Sequence, residues 1–234
     1  MQTLLLSLET SSPVCSVALH RLADGSLVGQ SELRLDKSHS THLTVLLEQL
    51  LANTGHQLAD LAVVAVSDGP GSYTGLRIGA AAAKGLCFAL DIPLVAVSTL
   101  KALAAQVAAG TARPENFLFC SMLDARRQEV YAAIYAHDGQ EVLAPTPLIL
   151  DANTLAEQLA RHPMLFFGNG AAKFQAVLGE SAQAGFLAGI EPSAISVGQL
   201  GVAAFHRQEF QDVAYYEPFY LKEVYTTTPK KQSL

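Results

Sequence analysis

Some segments of this chain have short apolar runs, and others have apolar residues spaced as on one face of a helix. These two kinds of segment follow one another in the same order in both halves of the chain. Short apolar runs bounded by polar turns predict strands, and longer stretches with apolar residues at i, i+3, i+4 and i+7 predict helices. In the first half the predicted elements are strands 4–8, 14–20 and 27–35, a helix 40–54, a strand 61–66, a helix ending near 90, a strand 93–97 and a helix 99–109.

The segment 110–115, which contains Pro114, predicts a connection, and the same order restarts after it. The second series is strands 117–123, 130–137 and near 147–150, a helix 154–161, a strand 164–168, a helix 171–178, a strand 186–190 and a helix 197–208. Each half therefore has the order βββαβαβα. We predict two lobes, residues 1–110 and 111–234.

This duplicated order is typical of the α/β fold class of actin, hexokinase and Hsp70, called ASKHA. In that class two such lobes face one another, and nucleotide phosphates lie between the first hairpin turns of each. In this chain those turns are residues 9–13 and 124–129. The turn residues expected at an interlobe cleft are Glu9, Thr10, Ser11, Asp124 and Arg126.

A glycine-rich segment, Ser67 to Gly79, follows the strand 61–66 and opens the second helix. Backbone N–H groups at a glycine turn and a helix start can bind an anion or a partner. The spacing fits neither a Walker-type phosphate loop nor a dinucleotide fingerprint, because Leu76 and Arg77 follow Gly75 and the third fingerprint position is Thr74. It also lacks the Gly-x-Ser-x-Gly of a hydrolase elbow.

Small residues recur every fourth position on the helix that follows: Gly75, Gly79, Ala83 and Cys87. Such a face allows another element to approach closely, and the sequence leaves two interpretations open. The face packs inside the chain, or it meets another subunit. If the face meets another subunit, Gly79→Leu should fold but pair poorly, and the charges of Arg77 and Lys84 would flank the interface. If it packs inside the chain, those two charges are expected to be solvated.

Composition indicates a dense globular chain: of 234 residues, 50% are hydrophobic and 15% are charged, with a net charge of −6. This acidity argues against independent binding of RNA, which normally needs a basic face. The three cysteines lie far apart and form no Cys-x-x-Cys pair. With no signal peptide or membrane span apparent in the sequence, we expect a cytoplasmic protein and no membrane association.

Four segments resemble the bacterial TsaB (YeaZ) family, relatives of the TsaD/Kae1 group formerly labelled glycoproteases. They are the first hairpin (6–11 with 15–19), the signature 68–77 continued by 97–100, the second hairpin (124–126 with 129–131) and the closing motif 218–221. The resemblance covers nearly the whole chain. It implies the ASKHA fold and a role in making threonylcarbamoyladenosine at position 37 of tRNAs that read codons starting with A.

The resemblance further implies a scaffold subunit that pairs with the TsaD transferase and a TsaE ATPase and meets tRNA only through the complex. Whether the free chain forms a homodimer is left open by the sequence. The family pairs its subunits through the first lobe. The expected interface residues are Leu43, Leu47, Leu50, Gly75, Gly79 and Ala83. No cofactor is required by this role, although ATP or ADP at the cleft or at the subunit interface is an option.

The catalytic relatives carry a His-x-x-x-His metal pair at positions where this chain has Thr99 and Leu103. Neither side chain can replace an imidazole as a metal ligand. The close pair His39 and His42 fits a helix start better than a metal site. We therefore expect no catalytic or metal residues and a non-catalytic subunit; the alternative is a stand-alone ASKHA-type kinase or a metallopeptidase-like enzyme.

Overall fold

The computed structural model describes residues 3–35 and 38–222 and contains two five-stranded sheets. The strands of the first sheet are β1 (Leu4–Glu9), β2 (Val14–Arg21), β3 (Leu27–Arg34), β4 (Leu61–Gly69) and β5 (Leu94–Ser98). Those of the second are β6 (Leu118–Asp124), β7 (Glu129–Tyr135), β8 (Glu141–Ile149), β9 (Met164–Phe167) and β10 (Ala184–Leu187).

Six α-helices accompany these strands: α1 (His39–Thr54), α2 (Tyr73–Leu90), α3 (Thr99–Gly110), α4 (Ala156–Arg161), α5 (Ala171–Leu178) and α6 (Ala194–His206). Both sheets have the same strand order, β3-β2-β1-β4-β5 in the first and β8-β7-β6-β9-β10 in the second. The first three strands of each sheet are antiparallel, and the last two pair in parallel. The predicted duplicated ASKHA fold is confirmed.

Each sheet is covered on both faces, because its strands carry apolar residues on alternating sides. In the first sheet, Leu4, Leu6 and Leu8 pack in a cluster with α1 and α2, whereas Leu5 faces a cluster with α6. In the second sheet, α4 and α5 cover one face, and α3 covers the other. The last helix of each half thus packs on the sheet of the other half, which joins the two lobes.

Several boundaries differ from the predicted ones, and two of the differences have identifiable reasons. Strand β8 begins at Glu141 rather than near Pro147, since it is an edge strand and tolerates Pro145 and Pro147. Helix α6 begins at Ala194, where the Ser193 hydroxyl accepts a hydrogen bond from the N–H of Ile195. The division at residue 110 stays a prediction, and residues 223–234 of the predicted second lobe lie outside the described part of the chain.

Candidate functional site

The glycine-rich loop connects the end of β4 to the start of α2. Gly69 has φ +109°, a conformation that side chains rarely adopt, and the Gly69–Pro70 peptide bond is cis. Ser72 caps α2: its hydroxyl accepts a hydrogen bond from the N–H of Gly75, and its own N–H donates to the Ser11 carbonyl at 2.6 Å. The loop is therefore fastened to the first hairpin turn.

Helix α2 presses its glycines directly onto that turn. A Cβ atom at Gly75 would overlap the carbonyl oxygen of Thr10, and one at Gly79 would overlap the Thr10 hydroxyl. The face of small residues is thus packed inside the chain, which decides between the two interpretations left open by the sequence. The expectation that Gly79→Leu would fold normally is corrected, because the space that leucine needs is occupied by Thr10.

Glu9, at the end of β1, is sealed beneath the same loop. It is fully buried, its Oε1 accepts a hydrogen bond from the N–H of Ser11, and its Oε2 has no partner among the described residues. Burial raises the pKa of Glu9 from 4.5 to about 7, although hydrogen bonds from Ser11 lower it in part. Both this carboxyl group and Thr10 are therefore enclosed by the chain itself.

The second hairpin turn is built differently and stays exposed. The Asp124 carboxylate accepts hydrogen bonds from the N–H of Arg126 at 2.6 Å and from Lys173 Nζ at 2.7 Å. Lys173 also donates to the Arg127 carbonyl, and the N–H of Asp124 donates to the Asn169 side chain. Lys173 and Asn169 were not among the predicted site residues.

Arg126 and Arg127 both have positive φ, +68° and +50°, which is uncommon for arginine. Within the described residues no carboxylate lies within ion-pair distance of either guanidinium group, whereas Asp124 is paired with Lys173, and Glu129 with Lys222. Two consecutive cations in a sparsely populated backbone conformation are thus left without an opposite charge. Positive φ at two successive residues is usual in a tight β-hairpin turn, so it is the uncompensated charge of the two side chains that points to an anionic ligand.

A cleft of about 920 Å³ lies between the two turns. One wall carries Ser11, Ser12, Ser72, Tyr73 and Thr74; the other carries Asp124, Arg126, Arg127, Glu129 and Asn169. The structure therefore brings Ser11, Asp124 and Arg126 to one cleft. Glu9 and Thr10 do not line it, which corrects the predicted set. Whether ATP or ADP binds there stays a prediction.

The segment after α6 closes one end of this cleft. The Tyr216 hydroxyl donates to the Asp68 carboxylate at 3.0 Å, and the N–H of Phe219 donates to the Asp68 carbonyl. Lys84 Nζ donates to the carbonyls of Ala214 and Tyr216, so it is not simply solvated. Burial raises the pKa of Asp68, while the hydrogen bond from Tyr216 lowers it in part.

The closing motif then reaches the cleft walls. The Tyr220 ring contacts that of Tyr73, with ring centres 5.0 Å apart. The Arg77 guanidinium lies over the Tyr73 ring, 5.3 Å from its centre, and donates a hydrogen bond to the Tyr73 hydroxyl. Lys222 pairs with Glu129 of the second turn. The closing motif thus connects the glycine-rich loop of the first half to the turn of the second.

The six residues predicted to meet a partner are covered by the chain itself. Leu43, Leu47, Leu50 and Ala83 are buried core residues, and Gly75 and Gly79 lie against Thr10. A partner of α1 and α2 would instead meet their outer faces. On α2 that face carries Thr74, Ile78, Ala81, Gly85 and Phe88, and the Phe88 side chain is 86% exposed.

The two positions at which the sequence resemblance placed the metal pair are occupied by core residues. Thr99 begins α3 and Leu103 lies one turn later, and both are fully buried. Among residues 3–35 and 38–222 no group of three or more His, Cys, Asp or Glu side chains could hold a metal ion. No helix in the same ranges is long and apolar enough to cross a membrane.

Comparisons with known proteins agree with the fold described above. The family model of TsaD, tRNA N6-adenosine threonylcarbamoyltransferase, matches residues 34–228. The solved structure of YeaZ from Pseudomonas aeruginosa superposes with a TM-score of 0.79 at 30% identity, covering 94% of this chain and 100% of that one. The TsaB protein of Bacillus subtilis is 34% identical over 169 residues, which is 70% of each chain.

This chain belongs to the TsaB (YeaZ) family. The TsaB protein of Haemophilus influenzae is 40% identical over 132 residues, 56% of this chain. That alignment spans 53% of the relative, about half of its length. The relatives are named as tRNA threonylcarbamoyladenosine biosynthesis proteins.

Proposed function

We propose that this chain is a non-catalytic subunit of tRNA threonylcarbamoyladenosine biosynthesis in the cytoplasm, and that it pairs with a TsaD-type transferase through the outer face of α2. The names of its relatives and the TsaD family model support the pathway. We further propose that the complex includes a TsaE-type ATPase, that the free chain self-associates, and that the chain contacts tRNA only through the complex.

The exposed side of α2 is the observation that carries the pairing. Ile78, Ala81, Gly85 and Phe88 follow one another at spacings of three and four residues, so they form one stripe on the helix, in which Ile78 is half-buried against the core and the other three are exposed. Phe88 is 86% exposed, and a Cβ atom at Gly85 would have open space around it. The small residues of the stripe allow a second helix to approach α2 closely, and the exposed ring of Phe88 can be buried in the contact.

The proposal is tested by association and by modified tRNA. Phe88→Glu and Gly85→Leu should each weaken co-purification with a TsaD-type protein by at least about tenfold, because both alter the contact face without touching the core. Tyr215→Glu, which changes another side chain that is 84% exposed, is the matched control and should pair normally. Light scattering of the free variants reports self-association in the same samples.

Threonylcarbamoyladenosine is then measured by mass spectrometry of tRNA from cells that depend on this chain. We expect the modified nucleoside to fall in cells carrying Phe88→Glu and to persist in those carrying Tyr215→Glu. Normal melting of the variants shows that the fold is intact. Unchanged pairing and unchanged modification in both α2 variants would refute the proposed interface; modification that continues without this chain would refute the pathway role.

A further inference from the structure

The two-lobe fold implies a nucleotide whose phosphates are held by both hairpin turns, and the two turns of this chain fit that arrangement unequally. In the first turn, Glu9 and Thr10 are fully buried, and Ser11 retains 4% of its exposure. The glycines of α2 occupy the space above Thr10, and the Ser11 carbonyl is already bonded to the N–H of Ser72. No phosphate can reach Glu9 or Thr10 without displacing the helix start.

The second turn has the opposite character. Arg126 and Arg127 are exposed on the cleft wall, and no carboxylate of the described residues pairs with them. The carboxylates beside them are already compensated, Asp124 by Lys173 and Glu129 by Lys222. The turn therefore presents uncompensated positive charge, in a chain whose net charge is −6. Guanidinium groups are the side chains best suited to phosphate.

The shape of the cleft restricts the size and type of the anion. Its volume, about 920 Å³, suits a ligand of nucleotide size. Aromatic rings of Tyr73, Phe219 and Tyr220 line the same space and can contact a planar base. A long RNA is disfavoured as the occupant, because the acidic chain as a whole repels a polyanion whereas a small anion meets only the local charge.

We infer that the cleft binds a small phosphate-bearing ligand with an aromatic base, and that the second turn alone holds the phosphate, through Arg126 and Arg127. The sealed first turn contributes only its cleft-facing serines. The inference concerns the isolated chain and does not depend on pairing with a transferase.

Titration calorimetry of the isolated chain at low salt tests this with ADP, AMP, adenosine and inorganic phosphate as probes. We expect saturable binding of ADP and AMP, weaker binding of phosphate, and the weakest binding of adenosine. Arg126→Asn/Arg127→Asn should weaken the binding of ADP by at least about tenfold. Asparagine tolerates positive φ, so this double variant should melt at or above the wild-type temperature.

Two first-turn variants serve as controls for the one-sided arrangement. Glu9→Gln and Thr10→Val should leave the affinity for ADP unchanged, because neither side chain reaches the cleft. Failure of every probe to bind at millimolar concentration would overturn the inference, as would loss of ADP binding in Thr10→Val. Tighter binding of a tRNA than of ADP through the same arginines would also overturn it. All of these results are independent of the association assay.

Discussion

The two hairpin turns occupy the same place in the two repeats, yet one is sealed and the other is open. Glu9 ends β1, and Asp124 ends β6, the central strand of each sheet. Glu9 is fully buried with a pKa of about 7, whereas the Asp124 side chain is 40% exposed and paired with Lys173. Each repeat thus has a carboxyl group at the same place in its turn, but the surroundings of the two carboxyl groups differ.

The difference originates at one position of the following helix. The third residue of α2 is Gly75, and the third residue of α5 is Lys173. Glycine allows α2 to approach until it contacts the Thr10 carbonyl, while the lysine of α5 reaches across to Asp124 and the Arg127 carbonyl. A residue without a side chain closes the first turn. A long cationic side chain supports the second turn from a distance.

The loops before these helices are alike, which makes the contrast more specific. Gly69, the last residue of β4, and Gly71 flank Pro70, and Gly168 and Gly170 flank Asn169 after β9. Gly69 and Gly168 both have strongly positive φ. A Cβ atom at Gly71 would overlap Ser11 of the first turn, and one at Gly170 would crowd Leu123 and Val130, which flank the second turn. Both loops therefore approach their turns closely. Only the helix positions beyond them determine whether the turn is accessible.

The largest expected effect comes from removing the close approach at the first turn. Gly79→Leu should abolish stable folding, and Gly79→Ala should already lower the free energy of unfolding by about 1–3 kcal/mol, since its Cβ overlaps the Thr10 hydroxyl. Urea unfolding followed by circular dichroism measures both.

Gly85→Ala on the same helix is the matched control, because the space around Gly85 is open. It should raise stability by up to about 1 kcal/mol through helix propensity. Equal stabilities for Gly79→Ala and Gly85→Ala would mean that α2 does not press on Thr10. The interpretation of the first turn as sealed by α2 would then have to be abandoned.

A second, smaller effect tests the buried carboxyl. An unfolded Glu9 ionises near 4.5 and the folded one near 7, so the free energy of unfolding of the wild type falls as pH rises between these values. The difference corresponds to about 3 kcal/mol. Glu9→Gln lacks this loss, and its advantage over the wild type should grow from nearly zero at low pH to that amount above pH 7.

Urea unfolding curves collected across this pH range measure the advantage. A Glu9→Gln protein that is less stable than the wild type above pH 7 would show that the carboxylate is bound as an anion in the folded chain.

Element order and turn positions could be predicted from the sequence because they depend on local signals. The period of apolar residues gave the order βββαβαβα, and the polar stretches 9–13 and 124–129 gave the two turns. The edge strand β8 was predicted too short because Pro145 and Pro147 are typical of loops. At the edge of a sheet a proline is tolerated, because the N–H group that it lacks is not needed to pair with a further strand.

The environment of the site could not be predicted, because it depends on contacts between distant residues. The spacing of Gly75 and Gly79 indicated a close approach but did not identify Thr10 as the neighbour. Lys173 lies 49 residues from Asp124, and nothing local links them. One signal was available and unused: Gly168-Asn169-Gly170 follows a strand and precedes a helix, as Gly69-Pro70-Gly71 does.

The smallest expected effect concerns the ion pair of the open turn. In a double-mutant cycle with Asp124→Asn and Lys173→Met, the coupling energy should be about 0.2–1 kcal/mol, as both side chains reach solvent. Asparagine keeps an oxygen for the N–H of Arg126, and methionine keeps most of the lysine stem, so the cycle isolates the charge interaction. Urea unfolding in 0.1 M and 1 M salt should show the coupling shrinking as the salt rises.

The pair Glu157 and Arg161 on α4 is a suitable reference, because its side chains are 72% and 69% exposed and touch neither turn. Its coupling should be equal to or smaller than that of Asp124 with Lys173, and equally sensitive to salt. A coupling above about 2 kcal/mol at Asp124, insensitive to salt, would be the behaviour of a desolvated pair. The second turn would then be as closed as the first, and the proposed division of the cleft into one sealed and one accessible turn would fail.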